Sequence, residues 1–216
     1  MREKVIQRIL EKKLIAIIRG IDAGKCLDLT RAIFEGGIDM VEVTFDQAKP
    51  DSFASTTSVI AAIDRAFGGQ VFVGAGTVLN PQQVKLAAEA GAKYIISPDT
   101  QEDVIKATRE LGLVSIPGGM TPTDITVAHR AGADFVKLFP AGSLGPGYMK
   151  AVCAPLSHIP LLAVGGVDAA NIPDFLAAGC KGFGVGGNLV NKSWIEAGEF
   201  AKITEAARAL CRAVNG

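Results

Sequence analysis

The sequence predicts an α/β fold closed into a (β/α)8 barrel of the TIM type, with one extra helix at its N-terminus. Three observations carry this reading. Eight short apolar runs rich in Val and Ile recur along the chain. Amphipathic stretches long enough for helices separate them. A phrase of small residues and glycine, followed at once by an apolar run, repeats as EGGIDMVEV, EAGAKYIIS, RAGADFVKL and AAGCKGFGV. Such a repeat of strand and helix closes most naturally into a barrel.

The runs are Leu14–Ile18, Met40–Thr44, Val71–Gly74, Tyr94–Ser97, Leu113–Ile116, Phe135–Phe139, Leu161–Val164 and Gly182–Val185. They are too short for helices and read as parallel strands covered on both faces. Helix signals stand between them. Asn80 followed by Pro81 is an N-cap with proline at the first helical position, ahead of QQVKLAAEAGA. Asp99 and Thr100 precede QEDVIKATRELG, and Asp168 precedes AANIPDFLAAG. Gly36, Gly91, Gly112, Gly132 and Gly179 each stand where a helix should stop and a strand begin. The segment before Leu14 is the extra helix, expected to cap the barrel bottom. No linker or low-complexity stretch divides residues 1–216, so a single barrel domain is expected. An open doubly wound sheet would place GxGxxG after the first strand, but that strand ends in Arg19-Gly20-Ile21-Asp22.

Composition narrows the function. Hydrophobic residues make up 49% of the 216 residues, enough for a large core. The 22 basic and 22 acidic residues balance, which argues against a nucleic-acid partner and leaves any anion site a local feature. The start, MREKVIQRILEKK, is charged and amphipathic, and no apolar run approaches a membrane span. Four scattered cysteines without a CxxC pair suit a reducing, cytoplasmic setting. The two histidines, His129 and His158, form no metal-binding pattern, so no metal is expected.

In such a barrel the site lies at the C-terminal ends of the strands. Lys137 stands within the apolar run FVKLFP, and a lysine is almost never fully buried without a reason. Desolvation lowers an ammonium pKa and yields the neutral amine that attacks a ketone. A lysine that reaches to the barrel end to pair with a carboxylate explains its position equally well. Glu42, charged within MVEVT, shifts the balance. The second and sixth strands share inward layers, so Glu42 and Lys137 can face one cavity as proton shuttle and nucleophile. A buried structural ion pair is the competing reading, but such a pair is costly. Glycine turns follow the last two strands, Gly165-Gly166 and Gly186-Gly187, where barrels often hold phosphate on backbone amides. A third, Gly74-Ala75-Gly76-Thr77, allows close backbone approach and brings a hydroxyl to the pocket. Arg19 ends the first strand and can anchor a carboxylate or phosphate.

Taken in order, IAIIRG, VEVTF, VGAGTVLNP, ISPD, IPGGMTPT, VKLFPA, AVGGV and GVGGNLV resemble the family of 2-keto-3-deoxy-6-phosphogluconate (KDPG) and 4-hydroxy-2-oxoglutarate (KHG) aldolases. The resemblance implies a homotrimeric, metal-independent class I aldolase. It needs no cofactor beyond a covalent Schiff base on Lys137, and it takes a small 2-keto acid that can be phosphorylated. Lys137 matches the Schiff-base lysine and Glu42 the acid/base glutamate. Thr77 matches a threonine near the pyruvyl carboxylate, Arg19 a pocket arginine, and Phe139 an aromatic wall. Gly165, Gly166 and Gly187 match phosphate-binding glycines, and Pro98, at a strand end within ISPD, joins the substrate pocket. Three positions depart from the pattern. Asp46 stands where many members have arginine. Val164 replaces a threonine, as in relatives that act on the galactonate epimer. Asn188 replaces a phosphate-binding serine, its side chain and the nearby amides being the remaining donors. The expected reaction is cleavage of KDPG or 4-hydroxy-2-oxoglutarate to pyruvate and an aldehyde, with 2-keto-3-deoxy-6-phosphogalactonate (KDPGal) as the alternative. A phosphosugar isomerase or epimerase, with Glu42 as base, and a non-catalytic binding barrel are more distant readings.

Overall fold

The computed structural model describes residues 1–216. The strands form where the apolar runs stand. They are β1 (Leu14–Ile18), β2 (Met40–Thr44), β3 (Phe72–Gly76), β4 (Tyr94–Ile96), β5 (Val114–Ile116), β6 (Gly118–Gly119), β7 (Val136–Leu138), β8 (Leu161–Val164) and β9 (Gly182–Val185). All pair in parallel in the order β5-β4-β3-β2-β1-β9-β8-β7-β6. β5 and β6 are two halves of one stave interrupted at Pro117, which has no N–H to continue a ladder. The first half pairs with β4 and the second with β7. Across the seam, the Ser115 carbonyl accepts from the Asp134 amide at 3.0 Å and the Pro117 carbonyl from the Lys137 amide at 2.8 Å. Eight staves therefore close the barrel, as expected.

Eleven helical segments surround the barrel. They are α1 (Arg2–Lys12), α2 (Ala23–Glu35), a 3-10 turn (Pro50–Ser52), α3 (Phe53–Phe67), α4 (Pro81–Glu89), α5 (Glu102–Glu110), α6 (Pro122–Arg130), α7 (Ala141–Cys153, kinked at Gly145), α8 (Ile172–Ala177), α9 (Lys192–Glu196) and α10 (Phe200–Asn215). Asn80 caps α4, its side chain accepting from the Gln83 amide at 2.9 Å. Two cap assignments are corrected. Gln101, not Asp99 or Thr100, precedes α5, and the Thr100 hydroxyl instead donates to the Gly118 carbonyl at 2.7 Å. After Asp168 the chain first makes a turn, with its carboxylate accepting from the Ala170 and Asn171 amides, and α8 begins only at Ile172. α2 stops where expected, with Gly36 as its C-cap, and the left-handed turn falls on the next residue. Gly37 takes the left-handed φ of +99°, whereas a Cβ on Gly36 would meet the Ala207 Cβ at 2.3 Å.

Two apolar layers result. One lies between the strands and the outer helices. The other fills the lower barrel, with Ile15, Met40, Phe72, Tyr94, Phe135 and Leu162 among its members. Val5 and Ile9 of α1 join this inner cluster, so the extra helix plugs the barrel end opposite the site. Ion pairs hold the plug: Arg2 contacts Asp134, which also pairs with Arg109 at 3.0 Å, and Arg8 pairs with Asp39 at 2.7 Å. With one end plugged by α1, the barrel interior opens at the C-terminal ends of the strands. No helix is long and apolar enough to cross a membrane.

Candidate active site

Inward-facing side chains change character along the barrel axis. Below lie the apolar side chains of the inner cluster. Above them come Glu42 on β2 and Lys137 on β7, both buried, at 1% and 4% exposure. Glu42 fits because β3 has no side chain opposite it. A Cβ on Gly76 would stand 1.6 Å from Glu42 Oε1, and one on Gly74 would strike the Tyr94 ring at 2.2 Å. The two glycines of GAG thus admit a carboxylate and a phenol into the barrel interior. The Tyr94 hydroxyl donates to the Val41 carbonyl at 2.6 Å, so it is satisfied below the carboxylate. Glu42 Oε2 is buried without a hydrogen-bond partner.

Burial pushes these two groups toward neutrality. Desolvation raises the Glu42 pKa above its ordinary value, against the lowering effect of the Lys137 and Arg19 charges. Desolvation lowers the Lys137 pKa, a change opposed by Glu42 and Asp99 and assisted by Arg19. The pair therefore suits proton exchange at a reacting centre. The Lys137 ammonium lies 4.8 Å from the centroid of the Phe139 ring, which walls the lysine and is 38% exposed.

A cavity of about 570 Å³ opens above Lys137. Its walls bring together Arg19, Lys137, Phe139, Gly165, Gly166, Gly187 and Asn188 from the sequence-derived set. Gly165 and Gly166 have φ of +88° and +73°, and a Cβ on Gly165 would press the Phe139 ring at 3.1 Å. Gly142 fits equally tightly beneath this turn: its amide donates to the Gly165 carbonyl at 2.7 Å, and a Cβ there would lie 2.9 Å from the Gly166 Cα. Gly187 faces open space.

Other assigned residues stand beside this cavity rather than on it. Thr77, at a positive φ of 56°, accepts from Arg19 Nη2 at 3.2 Å and thereby fixes the guanidinium. Thr77 lines an adjoining cavity of about 620 Å³, which also holds Asp46 and shares Arg19 with the first. Pro98 reaches neither cavity; its carbonyl lies where a Cβ on Gly118 would be, at 2.3 Å. Pro98 and Gly118 thus appose two loops beside Lys137. Asn188 lines the cavity, but its amide group donates to the Val167 carbonyl at 2.9 Å.

Sequence reasoning missed Lys192, which lines both cavities. It follows the N-cap Asn191 and looks like an ordinary helix-start lysine, so only the fold reveals its position. Gly142 was missed too, because its role is set by a turn distant in sequence.

The family model for KDPG and KHG aldolase matches residues 5–206. The chain belongs to the KDPG and KHG aldolase family. Among relatives of this aldolase, the 2-dehydro-3-deoxy-6-phosphogalactonate aldolase of Escherichia coli K12 is 38% identical over 82% of the chain and 83% of the relative. The KHG/KDPG aldolase of the same organism is 35% identical over 83% and 82%. A solved native KDPGal structure superposes with a TM-score of 0.83 at 35% identity, covering 94% of each chain. The matched span runs from the α1 plug into α10 and contains every residue of the site just described.

Proposed function

We propose that this aldolase cleaves a 4-hydroxy-2-keto acid to pyruvate and an aldehyde through a Schiff base on Lys137, with Glu42 as the proton-transfer group and no metal or other cofactor. The observation that carries this reading is the buried Lys137, held toward its neutral form beneath a cavity and sharing the barrel interior with Glu42. The amine adds to the C2 ketone and forms a carbinolamine. Loss of water gives an iminium ion. The 4-hydroxyl loses its proton, the C3–C4 bond breaks, and its electron pair flows into the iminium as an enamine while the aldehyde departs. Protonation at C3 and hydrolysis release pyruvate and regenerate the amine. Each proton transfer needs a group that both gives and takes, and a carboxyl whose pKa burial raises above its ordinary value is suited to that role. Arg19, steadied by Thr77, is the anchor for the substrate carboxylate. Phe139 flanks the imine.

KDPG and 4-hydroxy-2-oxoglutarate are the substrates of the first reading. A specific observation favours the epimer KDPGal: the phosphogalactonate aldolase shows 38% identity, and Val164, not threonine, lines the cavity before the glycine pair. Pyruvate release measured on all three substrates tests both readings. Cleavage of at least one is expected, with the highest kcat/KM identifying the substrate; no pyruvate from any would overturn the proposed activity.

A further inference from the structure

The cavity is charged out of proportion to the chain. The ionisable side chains that line it are all basic, Arg19, Lys137 and Lys192, and no carboxylate is among them, although the whole sequence is neutral. None of the ion pairs in the fold includes Arg19 or Lys192. Lys192 is exposed, yet its Nζ lies 3.4 Å from where a Cβ on Gly20 would stand, next to Arg19 at the cavity mouth. Two cations without an ion-pair partner at one mouth favour anionic groups there.

The glycine turns after β8 and β9, the strands that follow β1 in the sheet, supply backbone amides to the same cavity. Gly165, Gly166 and Gly187 present backbone alone. The Asn188 NH2 group gives one N–H to the Val167 carbonyl and keeps a second, so the side-chain donor on this loop is neutral rather than cationic. Within the proposed reaction, Arg19 holds the carboxylate and Lys137 takes the ketone. Lys192 is then the cation without a role.

We infer that Lys192 is a specificity-determining residue that pairs with a phosphate monoester at the far end of the substrate, beside the glycine turns. This rests on the proposed aldolase reading for the keto-acid end and adds that the distal group is recognised by charge. Lys192→Met and Lys192→Arg test it. Steady-state kinetics would compare a 2-keto-3-deoxy-6-phospho sugar acid with its unphosphorylated counterpart. Calorimetry would follow inorganic phosphate, whose binding needs no turnover.

Loss of one charge-assisted contact is expected to lower kcat/KM of Lys192→Met on the phosphorylated acid by roughly ten- to a hundredfold, mainly through KM. The loss on the unphosphorylated acid should be far smaller. Lys192→Arg should recover most of the difference, and phosphate affinity should fall in Lys192→Met. Equal losses on both acids, or an unchanged phosphate affinity, would overturn the assignment. If the native protein releases pyruvate from neither acid nor from 4-hydroxy-2-oxoglutarate, the aldolase reading fails. The phosphate titration still decides Lys192, for or against, by whether its affinity falls in Lys192→Met.

Discussion

Lys137 and Glu42 show how one residue's chemistry depends on its neighbour's absence. Gly76 leaves the volume that the Glu42 carboxyl fills. Gly76→Ala would put a methyl group into that carboxyl and force it aside. Overpacking of this kind costs about 1–3 kcal/mol. The expected result is a lower urea midpoint together with a fall in kcat of roughly a hundredfold or more, the scale of a misplaced acid/base group. A variant that loses stability but keeps full kcat would show that the carboxyl position is not catalytic. The pH profile belongs to this scale too. Lys137 must be neutral to attack, and the neutral fraction rises with pH through its pKa. Desolvation lowers that pKa from the ordinary 10.5, so the acid limb of kcat/KM should lie below 10.5. A lysine limb at or above that value would show that the amine is not desolvated. Elsewhere burial works against reactivity: the Cys26 and Cys180 thiols are pushed up to about 11, which leaves them protonated.

At the scale of elements, the sequence revealed the strands better than the turns between them. β1, β2, β8 and β9 match their apolar runs end to end, because a strand buried on both faces is written as an unbroken apolar run. β3 runs two residues past the expected end, to Gly76, since glycine carries no hydropathy signal and pairing with Thr44 decides the matter. The break between β5 and β6 was not read, although Pro117 marks it. Arg19, Lys137, Phe139 and the glycine turns were legible as strand ends. Lys192 was not, because a loop and a helix start, rather than a strand, carry it to the cavity. The α1 plug was legible from its amphipathic pattern and its place before β1. Its Ile9 is buried against the inner cluster, so Ile9→Ala should destabilise the fold by about 2–5 kcal/mol. Chemical denaturation would measure this, and a change under about 0.5 kcal/mol, the usual range for surface positions, would contradict the plug.

For the whole molecule, one plugged barrel end and one open end leave the buried Glu42 and Lys137 facing a single open end. Net neutrality hides the local excess of basic side chains at the cavity, which no lining carboxylate offsets. The homotrimer implied by the family resemblance is an expectation at this scale. Sedimentation equilibrium should return about three times the 22.5 kDa chain mass, and a single-chain mass would refute it. The central claim, however, concerns one covalent bond. Its most direct measurement is borohydride reduction in the presence of pyruvate, followed by peptide mass spectrometry. The account predicts a reduced pyruvate adduct on Lys137, absent without pyruvate and absent in Lys137→Met. Active protein in which Lys137 stays unmodified, or in which another lysine carries the adduct, would contradict it.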